Sequence, residues 1–309
     1  MKPLIYLLGL ILILVRCSPS SEEEKDQKDE EPSLNYRVDS TGFDLPLKNV
    51  TAQYPMTGTK NFRTPSIGSL VQGKIYRSDA LHKLTEKDVA FLDGLGIRSI
   101  VDLRSAEEIE VNPDRKIPSV VNRFHFPVGR DKKKVENLPD TTYKKIRTMF
   151  LDGQLKEVEA YIKSIGLDLS EERKTRYKSF ATNHRTSFGM FLKALTDSSN
   201  FPLVYHCQGG KDRAGFASAI LGKTLGASNE EIMQDYLTTN VYGYETLKKM
   251  KDLSPEMKII VGAHADQIQA SFEAIDEEYG SFGNYLKEGL GLTEGDVEEI
   301  RKNLLIPHN

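Results

Sequence analysis

An α/β fold is predicted for this chain of 309 residues by two observations. Short apolar runs bounded by turn residues alternate with longer stretches whose apolar positions recur at helical spacing. Hydrophobic residues make up 39% and charged residues 28%, a balance that supports one large packed domain or two small ones. No internal repeat interrupts the pattern.

The elements follow in order. Met1-Lys2 precede Leu4 to Val15, an uncharged apolar run. It is long enough for the core of an export signal and too short for a comfortable membrane span of about 20 residues. Residues 18–33, SPSSEEEKDQKDEEPS, contain no apolar residue and read as a disordered acidic tether. The folded part is expected over 34–309. Gly73 to Arg77 alternates polar and apolar residues and suits a strand. Thr85 to Gly94 reads as a helix, with Thr85 as N-cap and Asp88 three residues on. Arg98 to Arg104 is a buried strand, with Asp102 and Arg104 at its end taken as structural support for a site floor. Phe124 to Val128 is a further strand. The charged stretch over about 144–195 carries Tyr161, Ile162, Ile165 and Leu169 at helical spacing. It predicts two or three inserted helices, a candidate lid. Phe201 to Tyr205 is another strand, Ala214 to Leu225 a helix of small residues, and Ile268 to Leu305 further amphipathic helices.

Charge narrows the functional classes. The chain has 42 basic and 45 acidic residues, a formal charge of −3, and no basic tail. Nothing in that balance favours nucleic acid, so any anion recognition is local. The two cysteines, Cys17 and Cys207, are too few for a Cys-rich zinc site or a disulfide framework, and each has a separate explanation. His125 and His264 have no partners at ligand spacing, so no metal is assigned. Cys17 follows the apolar run directly. The block Leu14-Val15-Arg16-Cys17 resembles a bacterial lipoprotein signal, with Cys17 lipidated, although Arg16 stands where a small residue is usual. The alternative is an uncleaved hydrophobic anchor. Either reading exports the protein, facing the periplasm or the cell exterior, and holds it at a membrane.

The most informative segment is Val204 to Gly215, VYHCQGGKDRAG, between a predicted buried strand and a predicted helix. A loop so placed aims several backbone N–H groups at one point, and the helix N-terminus adds partial positive charge. Gln208, Gly209, Gly210, Lys211, Ala214 and Gly215 frame that anion nest, the glycines allowing close backbone approach. Cys207 begins the loop, where a helix N-terminus and a fixed arginine favour a nucleophilic thiolate. Arg213 lies six positions on and can present paired donors to the same phosphate. His206 orients the loop or hydrogen-bonds near the thiolate.

The string HCQGGKDRAG resembles the cysteine-dependent phosphatase superfamily, whose signature is Cys, five residues, then Arg. Lys-Asp inside the loop resembles one branch, the bacterial tyrosine/serine protein phosphatases. Asn61-Phe62-Arg63, Tyr76 to Leu81, Val101 to Ser105, Asp235 to Asn240 and the tail from Ala270 to Gly291 are similar to that branch's other blocks, so the resemblance spans Asn61 to Leu305. It implies a protein-tyrosine-phosphatase-like fold with a four- to five-stranded, mostly parallel sheet flanked by helices. It also implies a phosphocysteine on Cys207 and no cofactor. Asp212 is the general acid by this resemblance, and Asp131, after the Phe124–Val128 strand, is the runner-up. Lys211 implies tolerance of phosphoinositides, against a structural ion pair. Ala214 departs from the family's Ser or Thr, which predicts slower hydrolysis of the phosphoenzyme.

The leading function is therefore hydrolysis of phosphotyrosine, with phosphoserine/threonine and phosphoinositides as further substrates. A phosphate-binding pseudophosphatase is the alternative. A rhodanese-like or arsenate-reducing thiol enzyme lacks a second cysteine to resolve a disulfide.

Overall fold

A computed structural model of the chain describes residues 36–40, 42–47, 54–129 and 139–307. All belong to the second of two units, which divide between Ser33 and Leu34. The export segment, the tether, Cys17 and Asp131 lie outside the described residues. Among the described residues no helix is long and apolar enough to cross a membrane.

Strands β1 (Tyr36–Val38) and β2 (Asp44–Pro46) form a small antiparallel pair. The apolar runs form the main sheet: β3 (Ile75–Ser78), β4 (Ser99–Asp102), β5 (Asn122–His125) and β6 (Leu203–His206). Its order is β3-β6-β4-β5 and every pairing is parallel. The strand expected at Phe124 to Val128 begins at Asn122 and ends at His125. Beyond it the N–H groups of Phe126 and Val128 still donate to the carbonyls of Asp102 and Leu103, at 3.0 and 3.1 Å.

Side chains alternate across the sheet, as the period of two requires. Ile75, Val101, Leu203 and Tyr205 enter one core, while Tyr76, Ile100 and Val204 enter the other. Both faces are covered, as parallel sheets require. Helix α1 (Glu86–Gly94) packs Leu92 into the second core, and Thr85 and Asp88 close its N-terminus as a capping box. Helix α2 (Ala106–Val111) starts on a second such box, Ser105 with Glu108.

The insertion differs from expectation. It holds four helices: α3 (Asp140–Leu151), α4 (Leu155–Ser164), α5 (Leu169–Thr182) and α6 (Arg185–Ala194). Its second half is core and not a lid. Tyr177, Phe180, Phe188, Phe191 and Leu192 are fully buried, and Phe188 meets Phe216 edge-on at 4.7 Å. The charges of α5 hid a narrow buried stripe, Leu169, Arg173, Tyr177 and Phe180, at helical spacing. In α4, Val158 and Ile162 pack with Leu169 and Met257, whereas Ile165 is exposed.

The remaining helices are α7 (Asp212–Leu225), α8 (Asn229–Tyr242), α9 (Tyr244–Lys248), α10 (Pro255–Val261), α11 (Ala265–Tyr279), α12 (Phe282–Asn284) and α13 (Glu294–Leu304). They include the helices expected at Ala214 to Leu225 and in the C-terminal tail. The loop from β6 into α7 leaves the carboxyl end of a central strand, where open α/β sheets place their ligand sites.

Behind that loop lies a buried polar cluster. Arg63 and Arg77 are both fully buried and share Asp235, at 3.6 and 2.6 Å. Burial and then the Arg77 charge push Arg63 down to about 10. Removing one member of such a cluster leaves an uncompensated buried charge, at a cost of about 3–5 kcal/mol. Asp235→Ala should lose that much stability in chemical denaturation. A loss within the range of an exposed ion pair, about 1 kcal/mol or less, would show that the cluster does not brace the fold.

Candidate active site

The loop after β6 begins at Cys207, a free cysteine that is 2% exposed. The loop carbonyls turn outward. Gly210 O accepts from Asn61 Nδ2 and Arg77 Nη2, both at 2.8 Å, and Gln208 O accepts from Ala80 N at 3.3 Å. Among the described residues, no N–H group from Gln208 to Arg213 donates to a protein acceptor. These donors remain for a ligand, as an anion nest at a helix N-terminus requires. Gly210 is obligatory twice over. Its φ is +63°, and a Cβ there would stand 2.7 Å from Asp79 N.

Arg213 is 6% exposed and fixed by Glu108, with Nη1–Oε2 at 2.5 Å and Nη2–Oε1 at 2.9 Å. Nη1 also donates to Val128 O at 3.2 Å. Burial opposes the arginine's charge, but the Glu108 bond and then Cys207 outweigh it and raise its pKa. For Glu108, burial raises the pKa while Arg213 pulls it down to about 2. Glu108 is therefore a carboxylate at any neutral pH. Its Oε2 also accepts from Ser105 N at 2.9 Å, so one side chain caps α2 and holds the phosphate-loop arginine. Glu108 was not singled out in the sequence, where Ser105-x-x-Glu108 could have marked it only as a helix start.

His206 Nε2 lies 3.0 Å from Asp114 Oδ2, and its Nδ1 lies 3.4 Å from Cys207 O. Burial lowers the histidine's pKa, but the Asp114 partner prevails and raises it. Arg104 bridges Asp102 and Asp114, at 2.7 and 2.9 Å, so the floor role expected of Asp102 and Arg104 is seen. Asp102, Asp114 and His206 come close enough together for a metal ion. The Arg104 guanidinium already supplies positive charge to both carboxylates there.

Asp212 begins α7 and faces the insertion. Arg173 of α5 forms an ion pair with it, and Tyr177 donates to it at 2.6 Å. Tyr177 in turn meets Tyr236 at 2.6 Å, and Tyr236 donates to Gln267 Oε1 at 3.1 Å. Burial raises the pKa of Asp212, but Arg173, Lys211 and Arg176 overcome it and hold the carboxyl well below the usual range. At rest Asp212 is ionised. Arg173 and Tyr177, one helical turn apart, were not found in the sequence because they lie more than thirty positions away in a charged helix.

Lys211 turns away from the nest. Its Nζ donates to the carbonyls of Ile260 and Gly262, at 3.0 and 2.6 Å, and lies 3.4 Å from Asp212. The C-terminal end of α10 attracts a cation for this reason. The ion pair weighed as the plain alternative for Lys211 is thus present. Ala214 and Gly215 are buried, Ala214 beside Cys207 in the larger core. Beside the loop a cavity of about 340 Å³ combines Gly209, Lys211 and Asp212 with apolar Phe150, Met250 and Ile260.

Comparison with known proteins agrees with this geometry. The chain is 27% identical over 273 residues to the triple specificity protein phosphatase PtpB of Mycobacterium tuberculosis, covering 81% of this chain and 98% of that one. It is 28% identical over 244 residues to a putative tyrosine-protein phosphatase of Cupriavidus necator, covering 76% and 79%. A tyrosine-protein phosphatase of Nostoc commune is 24% identical over 245 residues, covering 74% and 73%. The model of the tyrosine phosphatase family matches residues 54–306, which contain the sheet, the phosphate loop and every side chain described around it, and the chain belongs to that family.

Proposed function

We propose that the chain hydrolyses phosphomonoesters through a phosphocysteine on Cys207, with phosphotyrosine as substrate and phosphoserine/threonine and phosphoinositides as further ones. The observation that carries this reading is the loop itself. Cys207 stands at the head of unspent N–H donors, with Arg213 locked beside it by Glu108. The thiolate attacks phosphorus, the ester oxygen leaves, and water then attacks the phosphocysteine to release phosphate. The N–H nest and Arg213 stabilise the charge that develops on the phosphoryl oxygens. The name of the Mycobacterium relative, a triple specificity phosphatase, supports the breadth of substrate. The cavity beside the loop, part apolar and part charged, supports an aryl or lipid body on the phosphate.

Asp212 serves as acid and base. Its ionised resting state suits the second step, in which it takes a proton from the attacking water. Giving a proton to the leaving group in the first step requires Asp212 to be protonated, against the pull of Arg173. Ala214 offers no hydroxyl to the departing thiolate, which makes the second step the slower one.

We also propose that the protein is exported and held at a membrane through Cys17 or the apolar run before it. This is supported by the sequence from Met1 to Cys17 alone.

Hydrolysis of aryl phosphates by the fragment from Leu34 tests the reading. Cys207→Ser should abolish turnover. Asp212→Asn should lose about 10²–10⁴-fold on esters with poor leaving groups and much less on nitrophenyl phosphate, whose leaving group needs no proton. Equal losses on both would remove Asp212 from leaving-group protonation. Absent turnover with Arg213-dependent phosphate binding would establish the pseudophosphatase instead.

A pH profile gives a second test. Burial pushes Lys211 down to about 8, against the opposing effect of Asp212. It carries its charge below that pH and loses it above, so its hold on Asp212 and the α10 carbonyls fades as pH rises. The kcat/KM profile should fall on its alkaline side near pH 8, and Lys211→Met should remove that limb. A limb unchanged in Lys211→Met would assign it to another group.

A further inference from the structure

The cations around the loop are nearly all committed to protein partners. Arg213 spends both Nη atoms on Glu108, and Arg173 is paired with Asp212. Lys211 is held by two carbonyls and lies beside Asp212. Arg176 is different. It stands on α5 three positions after Arg173 and directly before Tyr177, the two side chains that hold Asp212. Its guanidinium lies 5.9 Å over the Phe180 ring, and its Nε is buried without a hydrogen-bond partner. Among the described residues it makes no hydrogen bond or ion pair through its side chain. Its charge nevertheless acts on Glu108, Asp212 and Lys211, which ring the loop.

The charge balance of the site explains what such a group is for. With Cys207 as thiolate, the loop's own cations are matched by Glu108, Asp212 and the sulfur when Arg176 is left out. A phosphate ester then brings two further negative charges to the open face of the loop, where every cation but Arg176 is already matched. The excess charge of Arg63 and Arg77 lies behind the loop. On the open face Arg176 is the spare cation. A guanidinium with a buried Nε, lying over an aromatic ring, is oriented before the ligand arrives, so less is lost in ordering it.

We infer that Arg176 binds the phosphoryl group of the substrate from the insertion side, on the oxygens that the N–H nest and Arg213 leave open. This rests on the reading of the loop as a phosphate site. It gives the insertion a part in substrate binding as well as in the core. Arg176 acts in the ground-state complex, because its charge is present before any bond changes.

The test separates binding from turnover. In the Cys207→Ser background, calorimetry with inorganic phosphate compares Arg176 with Arg176→Met, which keeps an unbranched side chain without the charge, and with Arg176→Lys, which keeps the charge. Losing a charge-assisted pair should weaken phosphate about tenfold or more in Arg176→Met, with Arg176→Lys between. With Cys207 intact, KM for an aryl phosphate should rise in parallel while kcat changes little. Phosphate bound equally well by the Arg176→Met protein overturns the inference and leaves the loop reading standing. A loss confined to kcat also overturns it, because Arg176 would then act through Asp212. If the Cys207→Ser protein binds no phosphate at all, the loop reading fails and the inference with it.

Discussion

The site depends on one backbone constraint. A loop that turns its N–H groups inward to meet phosphate must turn its carbonyls outward, and buried carbonyls need donors. Here Arg77 and Asn61 serve Gly210 O, and Ala80 N serves Gln208 O. Arg77 is in turn held by Asp235, which also meets Arg63 and accepts from Ser66 N at 2.9 Å. Arg63 donates to Asn61 and to Asp235 O. Segments far apart in the chain thus converge behind the same turn. Two guanidiniums sharing one carboxylate also leave excess positive charge behind the loop, on the side from which it reinforces the nest.

In front of the loop the same logic is repeated with different partners. Each functional group has its own holder on a different element: Arg213 by Glu108 of α2, Asp212 by Arg173 and Tyr177 of α5, His206 by Asp114. Fixing a guanidinium and a carboxylate in this way orders them before substrate binds, which is how positioned groups lower a barrier. The cost falls on Asp212, whose proton affinity is depressed by the cation that positions it. In the proposed reaction, that trade links the geometry of the insertion to the proton transfers assigned to Asp212.

What the sequence made legible was local. Cys207 to Gly215 could be read as a phosphate loop because all its parts lie on one strand–turn–helix segment. The motif blocks Asn61 to Arg63, Tyr76 to Leu81 and Asp235 to Asn240 were visible as a resemblance, but their physical meaning was not. They are the outer scaffold of the loop, and nothing in their spacing says that Arg77 reaches Gly210 O across 133 residues. Lys211 was expected in the nest and turned outward because the carbonyls at the end of α10 compete for it. Glu108, Asp114, Arg173 and Tyr177 were missed for one reason. Each is an ordinary surface-type residue in its own helix or loop, and becomes part of the site only through tertiary packing. The insertion was misjudged because six charges from Glu171 to Lys178 outweigh one thin apolar stripe in any composition-based reading.

The central claim is that phosphate passes through a covalent bond to Cys207. Rapid acid quench during hydrolysis of an aryl phosphate, followed by peptide mass analysis, tests it most directly. The account predicts one phosphoryl group on the peptide bearing Cys207, accumulating early because Ala214 slows the second step, together with a burst of released phenol. Full turnover with no burst and no phosphoryl group on that peptide would contradict it.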